Sequence, residues 1–319
     1  MQLTFNITTS PDDLGRYGSS DSLADMLRGF DGVELMCLGD DKNGIVKKDF
    51  VKGLHLGSFP YWLDFWNGDK EALLSEFGSL AECENHYGGT DRNALVRFFA
   101  GELETAVRYA AEYVVFHVSD ASVYEGFTRN YRHSSKEVID ASCELMNEVL
   151  SRSSYSGMLL LENLWVPGLT FTEPDMTKRL LDGIERKNKG IMLDTGHLFN
   201  TNTAIRTQEQ GLEYINSMLD RHGSLSENIV GVHLNCSITG GYCAERMKHP
   251  PKLLPTYSER CMQMFEHAFR VDEHKPFTCA GVDKLIERIA PEYLTFEFIS
   301  RSKDEHIRLL AQQRAALGI

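Results

Sequence analysis

The stretch GIMLDTGHLFNT, residues 190–201, ends an apolar run on Asp194 and places His197 three positions later. Aspartate and histidine are costly to bury unless a partner compensates for their lost hydration. Carboxylates and imidazoles are both common ligands of divalent transition metals. The spacing therefore predicts that Asp194 and His197 bind a metal ion at the end of a buried strand.

Other apolar runs along the chain also end on a carboxylate or an imidazole. These residues are His55, His117, Glu162, His233 and Glu297, and Asp272 and His274 lie two positions apart before the last helix and strand. Almost no lysine or arginine accompanies them, so converging carboxylates would repel one another and raise each other's pKa. A cation removes this repulsion, and the pattern therefore predicts a metal centre.

We predict that Glu162, Asp194, His233 and Glu297 are the principal metal ligands. The remaining residues of the set are interpreted as ligands of a further ion or as partners of the ligands: His55, His117, His197, Asp272 and His274. Mixed nitrogen and oxygen ligands suit Mn²⁺ or Zn²⁺, and also Co²⁺ and Fe²⁺. These residues therefore predict one ion per chain, or two if the remaining residues bind a second.

Eight apolar segments predict the strands that position these side chains, and most are followed by an amphipathic helix. The strands are predicted at 3–7, 32–38, 53–59, 113–120, 157–164, 190–194, 228–237 and 293–300. The helices are predicted at 22–30, 92–112, 135–153, 173–186, 208–223, 281–291 and 302–318. Near-continuous apolar strands that alternate with helices indicate a parallel sheet covered on both faces.

Eight such units predict one (β/α)8 barrel domain that spans residues 1–319. The connection at 39–52 is short for a helix, and a doubly wound open sheet is the alternative. No glycine-rich phosphate loop follows the first strand, which disfavours a dinucleotide-binding sheet. The irregular stretches 60–90 and 238–270 follow strand ends, where a barrel builds its active site. We predict that 238–270 is a long active-site loop or lid, with an ordinary surface excursion as the alternative.

Three further residues are candidates for contacts with a substrate. Trp62 lies in GLHLGSFPYWLDFW, residues 53–66, where the aromatic side chains either stack on a sugar or base or cap the barrel mouth. Trp165 follows Glu162 by three positions, and Arg246 in the long loop either meets a phosphate or is solvated. Glu34 in GVELMCL points inward if its neighbours alternate, and could then support a ligand.

Composition limits the partners of the protein. The 33 lysines and arginines against 46 aspartates and glutamates give a net charge of −13, which disfavours nucleic acid and favours a small-molecule substrate. The seven cysteines form no C-x-x-C pair and indicate free thiols. The sequence has neither a signal-peptide pattern nor a long apolar run, so we expect a cytoplasmic protein with no membrane partner, either a monomer or a homo-oligomer.

The segments LLLENL, IMLDTGHLF, GVHLNCS and LTFEF, in this order, resemble the xylose isomerase-like TIM-barrel superfamily. This superfamily contains sugar-phosphate isomerases and epimerases as well as the family 2 apurinic endonucleases of the endonuclease IV type. The resemblance implies an isomerase-type metal quartet of Glu162, Asp194, His233 and Glu297. The endonuclease type, with three zinc ions, implies all nine residues of the predicted set. Taken over both types, the resemblance implies one to three ions per chain.

The resemblance implies two alternative mechanisms. In an isomerase or epimerase, a divalent metal polarises a sugar carbonyl, Glu162 and Glu297 transfer the proton, and His197 binds a hydroxyl or a second metal. In a phosphoester hydrolase, two or three zinc ions hold the phosphate and activate water. Changes at Val118, Gly196, Cys236 and Ile238 relative to the endonuclease pattern, together with the acidic charge, favour a sugar or sugar-like substrate. The sequence therefore favours the isomerase, with the endonuclease IV-like hydrolase as the alternative.

Overall fold

The computed structural model, which describes residues 1–319, contains eight parallel strands that form a closed barrel in chain order. The strands are β1 (Gln2–Thr8), β2 (Gly32–Met36), β3 (Val51–His55), β4 (Tyr113–His117), β5 (Met158–Glu162), β6 (Lys189–Asp194), β7 (Ile229–Leu234) and β8 (Tyr293–Phe296). The barrel closes because β1 pairs with β8, with Leu3 opposite Leu294. The predicted (β/α)8 barrel is confirmed, and the alternative of an open sheet is wrong.

Fifteen helices pack around the barrel and over its carboxyl end. They are α1 (Pro11–Tyr17), α2 (Ser20–Met26), α3 (Leu63–Asn67), α4 (Lys70–Phe77), α5 (Leu80–Tyr87), α6 (Asn93–Tyr109), α7 (Val123–Thr128), α8 (Ser135–Ser151), α9 (Pro174–Gly183), α10 (Thr195–Asn200), α11 (Gln208–His222), α12 (Gly240–Lys248), α13 (Tyr257–Val271), α14 (Val282–Ile289) and α15 (Lys303–Leu317). None of them combines the length and the apolar composition that a membrane crossing requires.

The stretches predicted as irregular contain helices that the sequence pattern did not reveal. Residues 60–90 form α3, α4 and α5, and residues 238–270 hold α12 and most of α13 rather than an extended loop. Helix α13 begins at a capping box in which the Thr256 hydroxyl accepts a hydrogen bond from the Glu259 backbone N–H and the Glu259 carboxylate accepts one from the Thr256 N–H. The connection at 39–52 contains only a 3₁₀ turn, Lys48–Phe50, so no α-helix joins β2 to β3.

The side chains that point into the barrel alternate along each strand with those that face the helices, because successive residues of a strand point to opposite faces. Tyr113, Val115, Leu160, Met192 and Tyr293 form a separate apolar cluster within the barrel. A Cβ atom on Gly53 would lie only 2.1 Å from the Tyr113 ring, so glycine makes room for this large side chain.

Polar side chains continue the same inward-facing rows. His117 comes two residues after Val115, Glu162 two after Leu160, and Asp194 two after Met192. The apolar cluster thus closes the amino-terminal part of the barrel, and the residues predicted from the strand ends occupy its carboxyl-terminal mouth. This is the end at which barrels of this class carry their active sites.

Candidate metal centre

The barrel mouth brings together all nine residues predicted as metal ligands, together with Glu34. We call these ten residues the mouth cluster: Glu34, His55, His117, Glu162, Asp194, His197, His233, Asp272, His274 and Glu297. Most of their side chains are fully buried, and only His117, His274 and Glu297 expose more than a tenth of their side-chain surface. No lysine or arginine forms an ion pair with any of the ten.

Glu162 lies at the centre of the mouth cluster, and its two carboxylate oxygens face different histidines. Oε2 lies 3.1 Å from Nε2 of His55 and 3.1 Å from Nε2 of His117. Oε1 lies 3.2 Å from Nδ1 of His197 and 3.2 Å from Nδ1 of His233. The carboxylate is fully buried, so it connects two groups of ligands inside the mouth.

Asp194 is the N-cap of α10 as well as a member of the cluster. Its Oδ1 accepts a hydrogen bond of 2.6 Å from the backbone N–H of His197, and its Oδ2 accepts one of 2.7 Å from Nδ2 of Asn235. The cap begins the helix immediately after β6 and so places the His197 side chain beside the carboxylate. The close succession of Asp194 and His197 in the sequence thus has a local structural cause.

The two residues between Asp194 and His197 fix the turn from strand to helix. Thr195 Oγ1 donates a hydrogen bond of 2.6 Å to the backbone carbonyl of Asn235. A Cβ atom on Gly196 would lie 1.9 Å from Oδ1 of Asn235, which no side chain could tolerate without moving that amide. Glycine at 196 therefore allows Asn235 to reach Asp194.

Backbone carbonyls orient three of the imidazoles. Nδ1 of His55 lies 2.9 Å from the carbonyl of Leu56, and Nδ1 of His197 lies 2.9 Å from the carbonyl of Asn163. Nδ1 of His274 lies 3.2 Å from the carbonyl of Asp272. Because a carbonyl only accepts, each Nδ1 carries a hydrogen, and Nε2 is the nitrogen that offers a lone pair to a metal when the imidazole is neutral.

Further nitrogen and oxygen donors of the mouth cluster lie beside α10. Nε2 of His197 lies 2.9 Å from Oδ2 of Asp272, and the other oxygen of Asp272 accepts a hydrogen bond of 2.7 Å from Ser237. His274 adopts a positive φ of 46°, unusual for a residue with a side chain, and its Nε2 lies 3.5 Å from Oε2 of Glu297. Strained backbone of this kind concentrates at functional sites.

Burial and neighbouring charges shift the pKa values of several residues of the mouth cluster. Burial raises the pKa of Glu162, but His117 and His233 outweigh burial and hold that pKa well below the usual range. Burial, together with Glu297 and Asp272, raises the pKa of Asp194 well above its usual value, despite His197 beside it. Burial lowers the pKa of His274, yet Asp272 and Glu297 raise it to about 10. In the absence of another cation, protonated His197, His233 and His274 therefore balance the charge of the ionised carboxylates beside them.

The donor set fits divalent metal ions. Four groups of nitrogen and oxygen donors occur in which the donor atoms all lie within 4.8 Å of one another, and one of the four contains Glu34 with His55 and His233. The other three consist only of predicted ligands: His55, His117 and Glu162; Glu162, Asp194, His233 and Glu297; and Asp194, His197 and His274. Of these three, Glu162 belongs to the first two groups and Asp194 to the last two. Three or four mixed nitrogen and oxygen donors per group match the ligands that zinc and related metals take in proteins.

The three candidate substrate contacts lie at different places. Trp165 is partly buried, and its ring packs edge-on against His197, 5.1 Å between centroids, at the side of the mouth. Trp62 is buried and donates from Nε1 to the carbonyl of Ser119 at 2.8 Å, which favours the interpretation that it caps the barrel. Arg246 lies on α12, with its guanidinium 5.5 Å from the Tyr242 ring centroid, and contacts none of the mouth cluster.

Sequence reasoning missed the polar residues that hold the ligands in place. Asn163 accepts a hydrogen bond from the Asp194 backbone N–H, and the Asn235 amide donates one to the Asp194 carboxylate. Ser237 donates a hydrogen bond to Asp272. The signal was present in the run HLNCS, residues 233–237, because alternate residues of a strand share a face and His233 had been identified. Asn235 and Ser237 follow His233 at intervals of two.

The model of the xylose isomerase-like TIM-barrel family matches residues 23–241. No curated protein shows significant sequence similarity to the chain. Among solved structures, endonuclease IV from Thermus thermophilus is 15% identical with a TM-score of 0.54, over 100% of this chain and 99% of that one. A D-tagatose 3-epimerase-like protein is 16% identical with a TM-score of 0.52, over 100% and 97%. An IolI protein with a bound zinc atom is 14% identical with a TM-score of 0.55, over 100% and 98%.

Proposed function

The chain belongs to the xylose isomerase-like TIM-barrel family, and we propose that it is a metal-dependent hydrolase of phosphate esters that uses more than one divalent cation. The family includes enzymes of both the isomerase and the endonuclease type. The proposal reverses the preference drawn from the sequence, which was for an isomerase. The reason lies in the surroundings of a single carboxylate.

The observation that carries the proposal is the engagement of both oxygens of Glu162. One oxygen lies 3.1 Å from each of His55 and His117, and the other lies 3.2 Å from His233. A carboxylate with nitrogen donors beside each oxygen suits a bridge between two adjacent cations. Adjacent cations clamp the attacking and leaving oxygens of a phosphoryl group, which is the arrangement of two-metal phosphatases and nucleases.

Divalent cations held by the mouth cluster would polarise the phosphoryl oxygens and activate water at neutral pH. The residues of this chain have four tasks. His55 and His117 complete one group of ligands, Glu162 joins it to the next, and the Asn235 amide holds Asp194 in position at 2.7 Å. Trp165, beside His197, is proposed to contact the organic part of the ester.

The mouth cluster itself favours an anionic substrate only when cations are bound. It contains five carboxylates and no lysine or arginine, and protonated imidazoles serve to balance these carboxylates, so the protein alone offers a phosphate no excess of positive charge. The net charge of −13 disfavours a long polyanion such as duplex DNA. We therefore propose a small phosphate ester, with a sugar phosphate as the first candidate and apurinic DNA as the alternative to be tested.

A sugar isomerase or epimerase is the second candidate, and one observation favours it. Glu162, Asp194, His233 and Glu297 alone form a complete group of four donors within 4.8 Å. An isomerase with a single cation would also need a free oxygen of Glu162 to transfer the substrate's proton. That oxygen is the one that faces His55 and His117, and this contact disfavours the isomerase.

The test is to supply the purified protein with Zn²⁺, Mn²⁺ or Co²⁺ and to measure two reactions in parallel. The first is release of phosphate from sugar phosphates, release of p-nitrophenol from p-nitrophenyl phosphate and bis-p-nitrophenyl phosphate, and strand cleavage of duplex DNA with one abasic site. The second is exchange of carbon-bound hydrogen for deuterium when ketoses are incubated in heavy water, followed by NMR. We expect metal-dependent hydrolysis without deuterium exchange. Deuterium incorporation without hydrolysis would establish the isomerase instead.

A further inference from the structure

Glu34 is a buried carboxylate that the proposed ligand groups do not require. It lies on β2 with 1% of its surface exposed, on the barrel side of the strand, below the metal ligands. Its Oε1 lies 2.9 Å from Nε2 of His233. An isolated buried carboxylate is energetically costly, so its retention requires partners that compensate for burial.

Hydroxyl groups hold Glu34 in one orientation. The Tyr113 hydroxyl donates to Oε2 of Glu34 at 2.8 Å, and Oγ1 of Thr295 donates to the same oxygen at 3.2 Å. Thr295 is in turn bonded to Thr4 at 2.8 Å. Gly53 leaves the space through which the Tyr113 ring crosses the barrel. Residues of several strands thus fix this carboxylate, and its position is defined by the barrel itself.

The contact determines which nitrogen of His233 faces the metal ligands. Nε2 faces Glu34, whereas Nδ1 lies 3.2 Å from Oε1 of Glu162 and 3.3 Å from Oε2 of Glu297. If Nε2 donates its hydrogen to Glu34, Nδ1 keeps the lone pair that a metal needs. Carboxylates that accept from the second nitrogen of a ligating histidine also increase its basicity.

We propose that Glu34 is a positioning residue that fixes the tautomer and ring orientation of His233 for metal binding, and that Tyr113 fixes Glu34. The inference rests on the metal binding in the proposed function, but not on the reaction that the protein catalyses. It assigns a role to the hydroxyl and carboxylate network inside the barrel, below the residues that hold the cations.

Glu34 is itself close enough to His55 and His233 to suggest a further metal group. The hydrogen bonds argue against that alternative. Nδ1 of His55 donates to the Leu56 carbonyl, and its Nε2 faces Glu162. Nε2 of His233 lies 2.9 Å from Oε1 of Glu34, and because an ionised carboxylate only accepts, a hydrogen bond at this distance takes its hydrogen from the imidazole. Neither imidazole directs a lone pair at Glu34, so the carboxylate acts as a hydrogen-bond acceptor.

The experiment compares metal binding by four variants of the full chain: Glu34→Leu, Glu34→Gln, Tyr113→Phe and Tyr155→Phe. Tyr155 is a matched control because it is a buried tyrosine whose hydroxyl bonds to the Met158 carbonyl, outside the mouth cluster. Co²⁺ is titrated into metal-free protein in competition with a chelator, and the visible absorption of each bound equivalent is recorded. Urea unfolding of each metal-free variant measures any general loss of stability.

We expect Glu34→Leu to weaken the binding of one Co²⁺ equivalent by about 10- to 100-fold and to change its absorption spectrum. Glu34→Gln keeps an acceptor without the charge, so it should weaken the same equivalent by less. Tyr113→Phe should weaken it least, and Tyr155→Phe should match the wild type. The other equivalents should keep their affinity in every variant.

Wild-type affinity and spectrum in Glu34→Leu would overturn the inference. If that variant does not fold, Glu34→Gln and Tyr113→Phe decide, and unchanged Co²⁺ binding in both would overturn it equally. If the affinity for every Co²⁺ equivalent fell by a similar factor, in proportion to the decrease in unfolding free energy, this would also contradict a positioning role. A wild-type protein that binds no Co²⁺ would remove the proposed function as well, so the two failures are distinguishable.

Discussion

Nε2 of His55 lies 3.1 Å from Oε2 of Glu162, although 107 residues separate them in the sequence. The contact occupies the oxygen that a one-metal isomerase would need for proton transfer, and His117 approaches the same oxygen. These two histidines on neighbouring strands are therefore the reason why we propose hydrolysis rather than the isomerase reaction that the quartet Glu162, Asp194, His233 and Glu297 alone would allow. Their removal is the most informative mutation of the site.

The double variant His55→Ala/His117→Ala should lose one metal equivalent per chain and keep the others. Because two-metal clamping of the phosphoryl group would then be lost, hydrolysis should fall by about 100-fold or more. Metal analysis and initial rates measure the two effects. His249→Ala is the control, since that histidine is exposed on the surface. Unchanged hydrolysis in the double variant would show that these histidines hold no catalytic metal.

Glu162→Gln should reduce metal binding more than the loss of either histidine alone. Both oxygens of the carboxylate face ligand groups, and an amide replaces one of these oxygens with a donor that repels a cation. Isothermal titration with Zn²⁺ should show at least two weakened equivalents. Glu84→Gln, an exposed change on α5, should bind as the wild type does. A single weakened equivalent in Glu162→Gln would contradict the bridging role.

Gly196→Ala should destabilise the protein and weaken its metal site. The new Cβ would lie 1.9 Å from Oδ1 of Asn235, so the amide that holds Asp194 must move. We expect the free energy of unfolding to fall by about 1–3 kcal/mol, as for other overpacked sites. Urea denaturation and Zn²⁺ titration measure the two effects.

Gly101→Ala is the matched control for this prediction. Gly101 lies within α6, and nothing lies within 4 Å of a Cβ atom there. Alanine at this position should raise the free energy of unfolding by about 0.5–1 kcal/mol, because glycine is unfavourable inside a helix. If Gly196→Ala behaved like Gly101→Ala, the close approach of Asn235 to the turn would be unimportant.

The metal-free protein should lose stability as the pH rises above neutrality. Despite burial, Asp272 and Glu297 raise the pKa of His274 from 6.5 to about 10. A raised histidine pKa contributes stability that is fully present below pH 6.5 and is lost as the pH approaches 10. Saturating Zn²⁺ should abolish this loss at moderately alkaline pH, because the cations replace the protons. Urea unfolding at pH 6, 8 and 9.5, with chelator or with Zn²⁺, measures the difference.

His274→Gln provides the control for the pH prediction, since glutamine cannot carry the proton. Its metal-free form should show a shallower decrease in unfolding free energy between pH 6.5 and 9.5. A wild-type metal-free protein whose stability stays constant or rises over that interval would contradict the assignment of protonated imidazoles to the empty cluster.

The sequence was sufficient to predict the barrel and the meeting of the nine candidate ligands at its mouth, because both depend on local pattern. An apolar strand that ends on Glu162 or Asp194 is visible in the order of the residues, and parallel strand ends must meet. Glu34 was expected to point inward if side chains alternate along β2, and its contact with His233 shows that it does. These inferences required no knowledge of distances.

The sharing of Glu162 between two groups of histidines could not be predicted, because it depends on side-chain rotamers from several strands. Nor could the sequence show that Gly196 makes room for Asn235, which is a contact between residues far apart in the chain. The helices of 238–270 were missed for another reason: glycines and prolines around α12 and before α13 obscured the amphipathic pattern of α13.

The most direct test of the central claim is the metal content of the purified chain, measured after loading with Zn²⁺ and removal of excess metal. The account predicts more than one tightly bound ion, with about three per chain at saturation of the three groups. A single tightly bound ion, with no further equivalent at higher Zn²⁺ concentrations, would contradict the bridging role of Glu162 and return the isomerase to first place.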